Sequence, residues 1–150
     1  MNKYYILAVL ALVCFAAYGD STEGREKSVI GPEVEVYLTE ADIYFSARVD
    51  TGAATTSINA IKIKSSNGQV EYSLVNERGR ESRISSRIIK ESSVKNAESR
   101  EKRYYVYLTI IYKGHAKKTL VNLNDRGEST YKLLLGRNWL SGSYIVDVDR

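Results

Sequence analysis

Residues 47–58 read Ala47-Arg48-Val49-Asp50-Thr51-Gly52-Ala53-Ala54-Thr55-Thr56-Ser57-Ile58, and the rest of the chain is best read outward from them. Just upstream, Ile43 to Val49 is rich in β-branched and aromatic residues and predicts a strand that ends at Asp50. A carboxylate at the end of an apolar strand, followed by a small hydroxyl residue and a glycine, can be held in a tight loop. Backbone N–H groups and the Thr51 hydroxyl would fix its oxygens, and Gly52 permits a close backbone approach that a side chain would block. One such loop is half of a site in which two carboxylates share a proton, one acting as base on water and the other as acid. Asp-Thr-Gly also occurs in ordinary turns, so the surrounding sequence has to decide.

The surroundings predict strands. Val34 to Leu38 alternates as a half-buried strand does, and Ile58 to Lys64 reads as another, before the turn signal Asn67-Gly68 and a hairpin partner at Val70 to Leu74. Arg103 to Tyr112 is dense in tyrosine, valine, threonine and isoleucine; Lys113-Gly114 turns it and Lys118 to Leu123 returns. Leu133-Leu134-Leu135 runs into Gly136 and a short helical turn, and a last strand begins at Tyr144. Six or more short strands with room for one short helix near the C-terminus predict an all-β closed barrel or sandwich.

Composition narrows the chemistry. The chain has 150 residues, 43% of them apolar and 27% charged, with a single cysteine, Cys14, and a single histidine, His115. An intramolecular disulfide and a Cys-based zinc or iron–sulfur site are excluded, and no metal or cofactor is expected. Lys3 followed by the uncharged run Tyr4 to Ala17, with Ala17-Tyr18-Gly19 before Asp20, predicts a signal peptide over 1–19 and a secreted or periplasmic protein. The alternative is an uncleaved membrane anchor, for which about 14 apolar residues are short of the roughly 20 needed. Cleavage would remove Cys14 and leave no stable membrane anchor. Residues 20–33 then read as a linker and 34–150 as the domain.

The net charge of +4 falls to +3 without Lys3, too little to argue for nucleic acid. Many cations fall between Arg78 and Arg103, interleaved with Glu81, Glu91, Glu98 and Glu101. They read either as a solvated mixed-charge hairpin or loop, or as an electropositive wall facing an acidic peptide. His115, after a glycine in a turn, reads as exposed, the tyrosines as barrel packing, and Trp139 as core.

With these elements in place, Ala47 to Ile58 resembles the active-site strand and loop of retropepsins, and Leu133-Leu134-Leu135-Gly136-Arg137-Asn138-Trp139-Leu140 resembles their second apolar strand with its Gly-Arg-Asn helix. Thr109 to Val121 is similar to the hairpin that precedes that strand. From Val34 to Asp147 the chain resembles more closely a bacterial retropepsin-like aspartic peptidase family often labelled an ATP-dependent zinc protease. Arg48 to Ala53 with Thr56-Ser57, Arg103 to Val106, Leu123 to Arg126, Leu134 to Arg137 and Val146-Asp147 carry that likeness. The zinc and ATP labels find no support in the residues, which offer one histidine and no Gly-rich phosphate loop. The family is associated with ligases that add glutamate tails, which implies glutamate-rich peptides as substrates; export would separate this chain from cytoplasmic enzymes of that kind.

The resemblance implies catalysis by Asp50, with Thr51, Gly52, Ala53, Gly136 and Arg137 supporting the loop. Gly136 would pack behind it, and Arg137 would pin it through a buried ion pair with a carboxylate such as Asp125. Because the chain holds one Asp-Thr-Gly, a two-fold homodimer is expected to supply the second carboxylate. A flap is expected between the motifs, with Asn76-Glu77-Arg78-Gly79-Arg80 as its tip and Arg78, Arg80 or Arg87 meeting acidic substrate side chains. The competing reading is a non-catalytic exported β-barrel that binds or assembles with partners.

Overall fold

The computed structural model describes residues 26–95 and 100–150. The expected signal peptide, Cys14 with it, and residues 20–25 of the expected linker lie outside the described residues. The end of that linker is strand instead: β1, Ser28–Ile30, precedes β2, Glu33–Leu38, and β3, Ile43–Val49. Next come β4, Thr56–Ser66, β5, Gln69–Val75, β6, Glu81–Arg87, β7, Lys90–Lys95, β8, Arg100–Tyr112, and β9, His115–Asn124. The chain ends with β10, Leu133–Leu135, the short helix α1, Arg137–Leu140, and β11, Tyr144–Val146.

Six strands close into a barrel in the order β10-β3-β2-β8-β9-β4, with β4 returning to β10. The period-two pattern explains which side faces in. In β3, Ile43, Phe45, Ala47 and Val49 are buried while Tyr44 and Arg48 are exposed, and β8 contributes Val106, Leu108 and Ile110 from alternate positions. Leu123, Leu133, Leu135 and the fully buried Trp139 complete the core. Two hairpin turns take the left-handed geometry that two-residue loops demand: Asn67 and Gly68 have φ of 50° and 74°, Lys113 and Gly114 of 47° and 77°. His115, read as exposed, is half-buried at the start of β9.

The stretch read as a solvated charged segment contains two ordered strands. β6 pairs with β5 over its whole length, and β7 pairs with β8. Their polar, charged composition hides strands because they are recruited by the neighbouring strands' unpaired backbone groups rather than by burial. β4 makes this extension possible. Thr56 to Asn59 pair in parallel with β9 inside the barrel; the strand then passes a bulge between Ile61 and Lys64, where Lys62 has φ 55°, and leads outward along β5.

β10 places the loop after β3. It inserts between β3, parallel, with Leu135 opposite Val49, and β4, antiparallel, with Leu134 opposite Ser57. The chain therefore leaves β3 at Asp50, turns, and re-enters as β4 with β10 filling the gap between the two limbs. β1 and β11 form a separate two-stranded parallel sheet beside this end of the barrel.

Candidate active site

Asp50 follows the last residue of β3, and its backbone N–H donates to Leu135 O of β10 at 2.9 Å. Its Oδ1 accepts two hydrogen bonds, from Gly52 N at 3.0 Å and Ala53 N at 3.1 Å. Among the described residues nothing donates to Oδ2. The carboxylate is thus fixed through one oxygen and open through the other, which is what a group that must handle a proton requires. Gly52 eases the close approach: a Cβ there would lie a tight 3.2 Å from Asp50 Oδ1.

α1 holds the back of the loop. Arg137 N donates to Ala53 O at 2.8 Å and Asn138 N to Ala54 O at 3.3 Å. Asn138 Oδ1 accepts from both Thr56 N and Thr56 Oγ1, at 2.9 and 3.0 Å, while its Nδ2 donates to Leu120 O at 2.7 Å. Gly136 N donates in turn to Thr56 Oγ1 at 3.1 Å. A Cβ on Gly136 would come within 2.7 Å of the Thr55 carbonyl carbon, so only glycine lets β10 approach the loop this closely. Thr56 and Asn138 stand within the quoted motifs, but motif reading gave them no supporting role; their signal was a side-chain hydroxyl and amide at the entrance to each apolar strand or helix.

Arg137 departs from expectation. It is exposed, and its Nη1 donates to the carbonyls of Thr51 and Gly52, at 3.1 and 2.7 Å, rather than to a carboxylate. Asp125 is occupied otherwise, accepting from Gly127 N at 2.9 Å. A cation can serve here because the loop directs its N–H groups inward at Asp50 and leaves its carbonyls pointing outward. Thr51 is exposed.

The Asn76–Arg80 segment also differs from the expected flap tip. It is the β5–β6 turn, tied to β3: Asn76 Nδ2 donates to Tyr44 O at 2.9 Å, and Glu77 Oε1 accepts from Ser46 N at 3.1 Å. Tyr44 lies six residues before Asp50 on an extended strand, a separation of about 20 Å. Arg78 faces Glu35 at 3.3 Å and Arg80 faces Asp42 at 3.5 Å. Arg87 stands opposite Gln69, at the other end of β6. The structure does not bring these three arginines to Asp50.

Two other arginines are there. Arg48, exposed, lines a hollow of about 500 Å³ together with Pro32, Val49, Asp50, Thr51, Val146 and Val148. Arg126 lies in the loop between β9 and β10 and is half-buried; burial pushes its guanidinium below the ordinary value, and the Asp50 carboxylate raises it part of the way back. On the other side of Thr51, a second hollow of about 570 Å³ is lined by Arg137, Leu140, Tyr144 and Val146. A third, of about 220 Å³ between Tyr112, His115 and Tyr144, shares no lining residue with the Asp50 hollow. Among the described residues no cluster of three or more His, Cys, Asp or Glu could hold a metal ion.

A carboxylate loop of this form, set between two barrel strands and backed by a Gly-Arg-Asn helix, defines the retropepsin-like class of aspartic peptidase domains. Residues 29–150 match the family described as retropepsin-like aspartic endopeptidase RimB, and the chain belongs to that RimB-like family. Two curated relatives are similar over part of their length: probable alpha-L-glutamate ligases of Shewanella halifaxensis, 33% identical over 109 residues, and Shewanella pealeana, 34% identical over 110 residues. Each match covers 67% of this chain, and the chain spans only about a quarter, 24%, of either relative. Among solved structures, a protein of unknown function from Legionella pneumophila shares the fold, with a TM-score of 0.70 at 24% identity over 83% of this chain and 96% of that one.

Proposed function

We propose that this chain is an aspartic endopeptidase that acts as a homodimer, hydrolysing glutamate-rich peptides in a secreted or periplasmic setting. The observation that carries the reading is the asymmetry of Asp50, which lines a hollow with one oxygen fixed by two backbone N–H groups and the other without a donor among the described residues. In the dimer two Asp50 carboxylates hold one proton and one water. The ionised carboxylate takes a proton from the water, whose oxygen attacks the peptide carbonyl carbon, while the protonated carboxyl group donates to the carbonyl oxygen. The Asp50 carboxyl group that took the water's proton then passes it to the amide nitrogen as the C–N bond breaks, while the other Asp50 carboxylate takes a proton from a hydroxyl of the tetrahedral intermediate, giving acid and amine and restoring the shared proton.

The terminal sheet supports the dimer. A two-stranded sheet is marginal alone, among the described residues β1 and β11 pair only with each other, and Val29, Ile145 and Val148 are exposed at 42%, 54% and 75%. Val148 and Val146 line the same hollow as Asp50, so a second copy docking on this sheet would bring its own carboxylate to that side.

The test is incubation of the full chain with poly-glutamate and with a random peptide library across the acidic-to-neutral range, beside Asp50→Asn. Specific activity should rise with chain concentration as dimer forms. Full activity in Asp50→Asn, or in a species that sedimentation shows to be monomeric, would sink the proposal.

A further inference from the structure

The acidic-substrate reading lacks a recognition element once the β5–β6 arginines are placed away from the site, and two other guanidinium groups fill that need. Arg48 sits two residues before Asp50, on the outward face of β3, laterally opposite Leu134 of β10. Its guanidinium lies 5.7 Å from the centre of the Tyr131 ring and 3.9 Å from Glu33 Oε1. Arg126 approaches the same tyrosine from its backbone side. Its N–H is anchored on Asn59 Oδ1 at 2.8 Å and its Nε on Tyr131 O at 3.2 Å, leaving the outer guanidinium nitrogens without a partner among the described residues. Tyr131 therefore carries one guanidinium on its ring and fixes another through its carbonyl, two residues before β10, the strand that pairs with the end of β3.

We propose that Arg48 and Arg126 form a clamp for an acidic side chain of the peptide next to the bond that Asp50 attacks; this rests on the peptidase reading above. Glu33 shows the chemistry the clamp accepts. It takes a hydrogen bond from the Tyr131 hydroxyl and stands near Arg48, yet at 3.9 Å and with both side chains about half exposed the pair is loose and can be exchanged for an incoming carboxylate. Arg126, held through Nε, presents its outer nitrogens in the planar fork that binds a carboxylate through two parallel hydrogen bonds. The exposed arginines Arg78, Arg80 and Arg83 differ, since each already faces its own carboxylate at 2.7–3.5 Å, whereas Arg48 lines the Asp50 hollow and Arg126 lies within the field of the Asp50 carboxylate.

Two measurements separate this clamp from the activity it serves. In the first, matched peptides differing only by Glu against Gln beside the cleaved bond are turned over by the full chain. Arg48→Gln and Arg126→Gln should each lower the Glu-over-Gln ratio of kcat/KM by about tenfold or more, chiefly through KM on the Glu peptide. In the second, a fluorescent glutamate oligomer is titrated into the Asp50→Asn chain, where no turnover is needed; affinity should fall with the double arginine variant and rise with Glu33→Gln, which removes the internal competitor. A misfolded variant would not produce that rise. Unchanged binding in the double variant, or an unchanged Glu-over-Gln ratio, overturns the clamp. A chain that cleaves nothing but binds the oligomer in this arginine-dependent way sustains the clamp and removes the peptidase reading instead.

Discussion

The Asp50 loop and the Asn76 turn use the same local device for different ends. At Asp50 a side-chain oxygen accepts from the backbone N–H groups two and three residues on; at Asn76 the amide oxygen accepts from those two and four residues on, at 3.0 and 2.9 Å. What separates them is the remaining polar atom. Asn76 is 5% exposed and donates its Nδ2 to Tyr44 O, so every polar atom of its side chain is used in holding the insert to the barrel. Asp50 lines a hollow, and its Oδ2 has no donor among the described residues. A tight Asx loop is thus a way of placing an atom, and the chemistry follows from whether that atom is consumed.

Exchanging the two side-chain types tests this directly. Asp50→Asn preserves an oxygen to accept from Gly52 and Ala53 and should leave the fold intact while lowering peptide hydrolysis by about 10²–10⁴-fold, measured as kcat/KM beside a thermal melt. Gly136→Ala attacks the support of the active loop; with backbone 2.7 Å from the new Cβ, it should destabilise by about 1–3 kcal/mol in denaturant titration and impair activity as well. The reciprocal exchange, Asn76→Asp, places an acceptor against Tyr44 O and should cost about 1–3 kcal/mol of stability, with activity per folded molecule unchanged. Smallest of all, Arg78→Gln with Arg80→Gln removes two exposed ion pairs and should shift stability by less than about 1 kcal/mol and leave kcat/KM on acidic peptides alone. A large loss of acidic-peptide cleavage in that last variant would erase the distinction between the two regions.

How far residues alone carried the reading varies along the chain. β2, β3 and the β8–β9 hairpin were legible because alternation and turn signals are local, and the barrel that encloses them follows from their number. β6 and β7 were not, since their residues are polar and the strands exist through pairing with β5 and β8. Among the proposed site residues, Asp50 and Gly52 were legible as a motif, and Arg137 pins the loop as expected but through another partner: carbonyl groups that need a donor cannot be seen in a sequence, whereas charged residues that could pair with it can. Arg126 was quoted only within a run of matching residues, and its approach to Tyr131 and the Asp50 field depends on how the β9–β10 loop folds back.

The amino-acid order by itself determined an all-β chain, one Asp-Thr-Gly at the end of an apolar strand, and a Gly-Arg-Asn turn after a second one, because each is written within a few neighbouring residues. Only the tertiary structure decided that β10 would slide between the two limbs of the Asp50 loop, that Asn138 would reach back 82 residues to Thr56, and that Arg48 and Arg126, not the arginine-rich turn, would stand near Asp50. Those outcomes depend on closing a barrel from segments far apart in the chain, where pairing and packing choose among partners that local propensity leaves equivalent.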